Sequence, residues 1–167
     1  MSLDTEAFAT HERWMRVALD EARLAGEAGD VPVGAVIVHE GVPIGRGRNQ
    51  VEVHKDPTAH AEILAIGAAA STLGDWRLDA CTLYTTLEPC TMCAGAILLG
   101  RPRCIVYGAR DPRAGALVSA GELLGTNPYN LDFEVVGGVL EAECADLLRA
   151  FFRRLRDGAA ACEPGSR

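Results

Sequence analysis

Two short stretches hold residue types that can do chemistry together. In "PTAHAEILAI", Pro57 to Ile66, His60 and Glu62 stand at the head of an apolar run, and in "EPCTMCAGAILLG" Cys90 and Cys93 follow Pro89. Alone, His60 reads as part of a polar first turn on a core helix. With the two cysteines it completes a set of three ligands, and a catalytic zinc takes three protein ligands and leaves one position for water. Cysteines spaced as Cys90 and Cys93 are, at a helix start, put both sulfurs on one face. The positive end of that helix favours thiolates. Zinc lowers the pKa of a bound water towards about 7. Hydrolysis then needs a group that moves a proton from the water to the departing atom, and Glu62 has the reach and the position for it.

Other readings of the same residues leave more unexplained. A redox pair at Cys90 and Cys93 gives His60 and Glu62 no work. A structural zinc needs a fourth ligand, with Cys81 or Cys104 as candidates, and again leaves Glu62 idle. Cys81, Cys104 and Cys144 read as small core residues and Cys162 as a tail thiol.

The flanking segments must position these side chains. Apolar residues recur at helical spacing from about Thr5 to Gly26, through Phe8, Trp14, Met15, Ala18, Leu19 and Ala22. "VPVGAVIVHEGVPIGRGRNQV" reads as a hairpin of Val33–Val38 and Val42–Arg48 turning at Glu40-Gly41. "HKDPTAH" reads as a loop in which Thr58 caps a helix running to about Leu73. "CTLYTTL" has almost no polar break, as a strand covered on both faces would. Pro89 fits the first position of the next helix, which ends at Gly100. "RCIVYGA" is a further strand, Ser119 to Leu124 a short helix, "FEVVGGVL" a last strand or irregular segment, and Glu141 to Arg156 a terminal helix. Residues 157–167 read as a flexible tail. The order of elements gives an α/β sandwich with a mixed sheet in one domain spanning residues 1–167.

Composition narrows the class. The chain has 167 residues, 49% hydrophobic and 23% charged, as an ordinary globular domain does. No apolar run reaches the roughly 18 residues of a membrane span. The N-terminal "MSLDTEAFATHERW" lacks a basic region followed by an apolar core, so a cytoplasmic location is expected. The net charge of −7 argues against non-specific tracking along nucleic acid. Two local arginine groups remain, Arg101, Arg103, Arg110 and Arg113, and Arg149, Arg153, Arg154 and Arg156. The first can equally be a solvated face, and the second reads more readily as a solvated face or a helix-end charge preference.

His60-Ala61-Glu62 followed by Pro89-Cys90-Thr91-Met92-Cys93 matches the zinc deaminase signature H-x-E…P-C-x-x-C. From about Trp14 to Leu155 the chain further resembles the bacterial tRNA-specific adenosine deaminases, which convert adenosine to inosine at the anticodon wobble position. The resemblance lies in "WMRVAL", "VPVGAVIV", "HKDPTAHAEILAI", "LYTTLEPCTMCAGAI", "YGARDPRAGA" and "ECADLLRAFF". It implies a cytidine deaminase-like three-layer αβα sandwich, one zinc per chain, a homodimer, and a tRNA anticodon loop as partner. Asn49 resembles the asparagine that hydrogen-bonds the target base, and an amide can both donate to and accept from a purine edge. Val33 and Leu87 resemble pocket-lining positions. Ala59 stands where a small side chain leaves room for a flipped base, and Asp111 in "GARD" resembles a loop that approaches the nucleotide backbone. Asn130 matches the asparagine of an Asn-His pair that helps hold the anticodon loop. Leu131 stands where the histidine would be, which removes a polar contact to nucleic acid. A deaminase of a free nucleobase or nucleoside on the same scaffold is the alternative function. A zinc-stapled binding protein without turnover is a third.

Overall fold

A computed structural model describes residues 3–125 and 127–160. The chain begins with α1 (Leu3–Glu27) and enters a hairpin of β1 (Gly34–His39) and β2 (Val42–Arg48). Glu40 and Gly41 turn the hairpin with φ of 49° and 75°, a pair of left-handed residues whose twist suits a two-residue turn. A single helical turn, α2 (Val51–His54), leads to α3 (Ala61–Leu73), β3 (Cys81–Leu87), α4 (Thr91–Gly100) and β4 (Cys104–Ala109). After a long turn-rich segment come β5 (Glu134–Gly137) and α5 (Glu141–Ala160).

The strands form one sheet in the order β2-β1-β3-β4-β5. The hairpin and the β1–β3 pair are antiparallel, whereas β3–β4 and β4–β5 run parallel. Alternation along the strands decides which helix covers which face. Ala35, Ile37, Leu83 and Ile105 pack with Ala61, Ala65 and Ala69 of α3 and with Ala94 and Ile97 of α4. Their neighbours Val36, Val38, Tyr84 and Val106 pack instead with Trp14, Met15 and Ala18 of α1 and Cys144 of α5. The result is the expected three-layer αβα sandwich with a mixed central sheet. Cys81, Cys104 and Cys144 are all buried in it.

Several local expectations need correction. Thr58 does not cap α3, which starts at Ala61 with His60 in the cap position. The Thr58 N–H and hydroxyl both bond the Asp56 carboxylate instead, at 2.8 and 2.7 Å, in a local turn. Pro89 stands before the cap rather than at the first helical position, because Cys90 is the cap residue of α4. A single helical turn, α2, stands between the hairpin and the expected loop and takes in the loop's first residue, His54. Residues 119–124 form turns and no helix; the Ala120 and Leu123 N–H groups bond back to the Gly115 and Ala116 carbonyls, outside the helical pattern. The terminal helix runs beyond Arg156 to Ala160, so the first residues of the expected tail are helical. The rest of that tail, Cys162 included, lies outside the described residues.

The depth at which α3 sits on the sheet is fixed by backbone contact. A Cβ at Gly47 of β2 would run into the Ala61 carbonyl oxygen and come within 2.6 Å of the Ala65 nitrogen. Neither backbone atom can give way without moving the helix. Gly47→Ala is expected to cost about 1–3 kcal/mol of stability, read as a lower midpoint in urea denaturation.

Candidate active site

His60 and Cys90 occupy equivalent places, each as the extended residue in front of its helix, with ψ of 152° and 174°. Helix caps usually carry Ser, Thr, Asp or Asn, whose side chains bond the free N–H groups of the first turn. Neither His60 nor Cys90 makes such a bond, so both side chains are available to each other. The Nδ1 atom of His60 lies 3.7 Å from Cys90 Sγ and 3.5 Å from Cys93 Sγ. The ligand atoms of the three residues all fall within 4.8 Å of one another. Among the described residues this is the one such cluster of three or more His, Cys, Asp or Glu side chains.

The spacing tests the fit of a metal. Zinc–sulfur and zinc–nitrogen bonds of about 2.3 and 2.0–2.1 Å at a tetrahedral angle put the two atoms about 3.6 Å apart. The observed separations bracket that value. The donor set, one imidazole nitrogen and two thiol sulfurs, is one that zinc takes, and it leaves a fourth position open. The hydrogen bonds from Cys93 and then His60 pull the Cys90 thiol far down, whereas its bond with Cys90 and burial push Cys93 up. The bond with Cys90 in turn pushes His60 up. The positive ends of α3 and α4 both face this cluster and favour negative charge on sulfur.

Glu62 stands in the first turn of α3 and is only 4% exposed. Burial pushes its carboxyl above the usual carboxylate range, so it holds a proton more readily than a surface glutamate does. It faces a cavity of about 350 Å³ whose lining includes His60, Cys90, Val33, Asn49, Leu87 and Asp111. The structure therefore brings those expected site residues around one space. Ala59 is buried but does not line the cavity. Its backbone is engaged, accepting from Gln50 N at 2.9 Å and donating to Asp56 O at 3.2 Å. Asn130 is exposed, in a left-handed conformation with φ of 51°, and also stands outside the cavity lining. Neighbouring Leu131 is tied by its backbone to the Asn127 side chain.

Three further carboxylates line the cavity and were not singled out from the sequence, the exposed Glu52 and the buried Asp30 and Glu88. Asp30, 1% exposed, accepts from Asn49 Nδ2 at 3.3 Å and from the backbone N–H groups of Glu52 and Val53. A carboxylate can only accept, so this contact settles which end of the Asn49 amide is the nitrogen. Among the described residues nothing bonds the Asn49 side-chain carbonyl oxygen or its second N–H. Glu88, also buried, accepts from the N–H groups of Asp111, Val118 and Ser119 and from the Ser119 hydroxyl. Burial pushes Glu88 up, but these bonds outweigh it and hold the carboxyl below its ordinary value. The only sequence signal for either residue was a charged side chain inside an otherwise apolar stretch.

Helices flanking a mixed sheet bring a metal-sized donor set and a buried proton carrier to one place, and the family this chain matches makes that arrangement the centre of a zinc-dependent hydrolytic deaminase. The cytidine and deoxycytidylate deaminase zinc-binding region matches residues 8–109, and the chain belongs to that family. Among its relatives are tRNA-specific adenosine deaminases. That of Bacillus subtilis (strain 168) is 49% identical over 145 residues, covering 87% of this chain and 90% of its own. That of Agrobacterium fabrum is 45% identical and covers 89% and 97%. A solved structure from work on A-to-I editing by tRNA:A34 deaminases at the wobble position superposes with a TM-score of 0.77 at 46% identity, over 81% of this chain and 99% of that one. Guanine deaminase from Nitrosomonas europaea is more distant, with a TM-score of 0.69 at 32% identity over 84% of this chain. No described helix is long and apolar enough to cross a membrane.

Each donor is expected to matter for metal retention. His60→Ala, Cys90→Ser and Cys93→Ser should each lower zinc per chain to well under half of the parent value after dialysis, measured by atomic absorption. Cys81→Ser and Cys104→Ser should leave it unchanged.

Proposed function

We propose that this chain converts adenosine to inosine at the wobble position of a tRNA anticodon loop, in the cytoplasm and as a homodimer. Its strongest support is the His60/Cys90/Cys93 cluster, which reaches through His60 and Cys90 the cavity that the buried Glu62 also lines, in a chain 49% identical to one tRNA-specific adenosine deaminase. A space of about 350 Å³ is small-molecule sized. A base must leave its stack to enter it, and a loop nucleotide does so at least cost. Arg110 and Arg113 are exposed on either side of Asp111, where guanidinium groups can meet phosphates despite the acidic balance of the chain. For a second copy, the exposed Leu99 and the Trp76 and Tyr129 rings, each stacked on Arg101, offer apolar surface.

In the reaction the oxygen of water bonds to C6 of the base, the bond from C6 to the exocyclic nitrogen breaks, and ammonia leaves. Zinc held by His60, Cys90 and Cys93 supplies the Lewis acidity that makes water a nucleophile at neutral pH. Glu62 takes the proton from the water and returns it to the departing side of the base. Its raised affinity for a proton suits it to both halves of that transfer. Asn49, with one N–H anchored on Asp30, presents its carbonyl and second N–H to the base edge. Val33 and Leu87 give the ring apolar walls and keep water away from its faces. Asp111 stands on the side from which the nucleotide backbone would approach.

A purified anticodon stem-loop carrying the wobble adenosine is expected to gain inosine, detected by nucleoside chromatography. No inosine on that RNA together with turnover of a free base would overturn the tRNA assignment. Glu62→Ala should keep its zinc and lose about 10²–10⁴-fold in rate. For Arg110→Ala and Arg113→Ala, stem-loop affinity should weaken, and the log–log salt slope should flatten by about 0.7 for each phosphate no longer neutralised.

A further inference from the structure

Asp111 and Ala114 give the cavity part of its wall, and the segment they belong to, Asp111 to Ser119, contains no helix or strand. Its anchors are few and concentrated. Gly115 bridges to Cys90, and the Ala116 N–H bonds the Pro89 carbonyl at 2.9 Å. Ala116 and Leu117 are buried in the core, and the Gly115 and Ala116 carbonyls accept from Ala120 and Leu123; the segment's other bonds to distant chain go to one side chain. One oxygen of Glu88 accepts the Val118 and Ser119 N–H groups at 2.8 and 2.9 Å. The other accepts the Asp111 N–H at 3.2 Å and the Ser119 hydroxyl. Both ends of the segment are thus tied to one carboxylate, and the middle closes over it. A Cβ at Gly115 would collide with the Glu88 carboxylate.

We infer that Glu88 is a positioning residue for substrate, holding the 111–119 wall, with Arg110 and Arg113 beside it, in the shape that receives the RNA strand flanking the target base. This inference rests on the reading of the site as a deaminase of an RNA base. Glu88 lines the cavity, yet four donors fill the roughly four acceptor sites of its carboxylate. It has no capacity left to carry a proton or grip the base, so its effect on the reaction passes through the wall. Three of the four donors are backbone N–H groups and cannot reverse their sense. Glutamine at this position would satisfy the pair on one oxygen and turn its own N–H₂ towards the Asp111 N–H. One end of the wall would then be released.

The test is steady-state kinetics on the anticodon stem-loop with zinc-loaded protein, comparing the parent with Glu88→Gln, Ser119→Ala and Ser119→Thr. Glu88→Gln is expected to raise KM about tenfold, and Ser119→Ala about threefold, with kcat within about twofold of the parent. Ser119→Thr, which keeps the hydroxyl, should restore KM. Zinc per chain should be unchanged in all of them. Unchanged KM in Ser119→Ala, or a fall in kcat at constant KM in either variant, would overturn the assignment. Should Glu88→Gln fail to fold, the Ser119→Ala and Ser119→Thr pair decides by the same criteria. A parent protein that makes no inosine removes the underlying reading. A parent that turns over normally beside variants of equal KM removes only the role of Glu88.

Discussion

Everything at the site depends on how close α3 can come to the hairpin. Its first two turns rest on β2 with only the hydrogens of Gly47 between two backbones. The small side chains of Ala61, Ala65 and Ala69 continue that close contact along the helix. Packing of this kind leaves little room to slide, because interiors at crystal-like density do not deform smoothly. The position of His60, one residue before the helix, is therefore set by the sheet rather than by a flexible loop. The β3 strand sets Cys90 in the same way, through its parallel pairing with β4 and the short passage from Leu87 into α4. Two rigid elements meet with their N-terminal ends together, and the thiols and imidazole arrive at zinc-like separations before any ion is considered.

Within that frame the two buried cavity glutamates have opposite surroundings. Glu62 has burial with few compensating donors, and its carboxyl is pushed up. Glu88 is no less buried, yet backbone N–H groups and a hydroxyl surround it and hold it down. Environments that separate two carboxyls in this direction also separate their work. One can exchange a proton; the other remains an anion around which chain is folded. Asp30 also has chain folded around it, as an acceptor for Asn49 and for the start of α2.

Where the sequence was legible, a periodic pattern or a chemically unusual spacing made it so. The helical repeat of α1, the Glu40-Gly41 hairpin and the apolar strands β3 and β4 all follow from side-chain alternation. His60, Glu62, Cys90 and Cys93 stood out because such residues rarely combine without a metal. The errors fell where a side chain serves the backbone. Thr58 has the chemistry of a cap, but Asp56 takes its N–H and hydroxyl. Pro89 fits a first helical turn equally well one or two positions earlier. The expected helix at 119–124 gave way to turns in which the Ala120 and Leu123 N–H groups bond the Gly115 and Ala116 carbonyls. Glu88 and Asp30 themselves were invisible as functional positions, since a buried carboxylate bonded to main chain leaves no repeat, only an isolated charge among apolar neighbours.

The bridge between Cys90 and Gly115 joins the peptide that carries a metal donor to the peptide that forms the cavity wall. Two binding events then share one piece of backbone. Linkage requires that any coupling between them be reciprocal. To whatever extent a filled metal site steadies the wall for an incoming strand, the bound strand must strengthen the hold on the ion by an equal change in affinity. The cofactor would be held most firmly while the protein is occupied with its substrate and most loosely between turnovers.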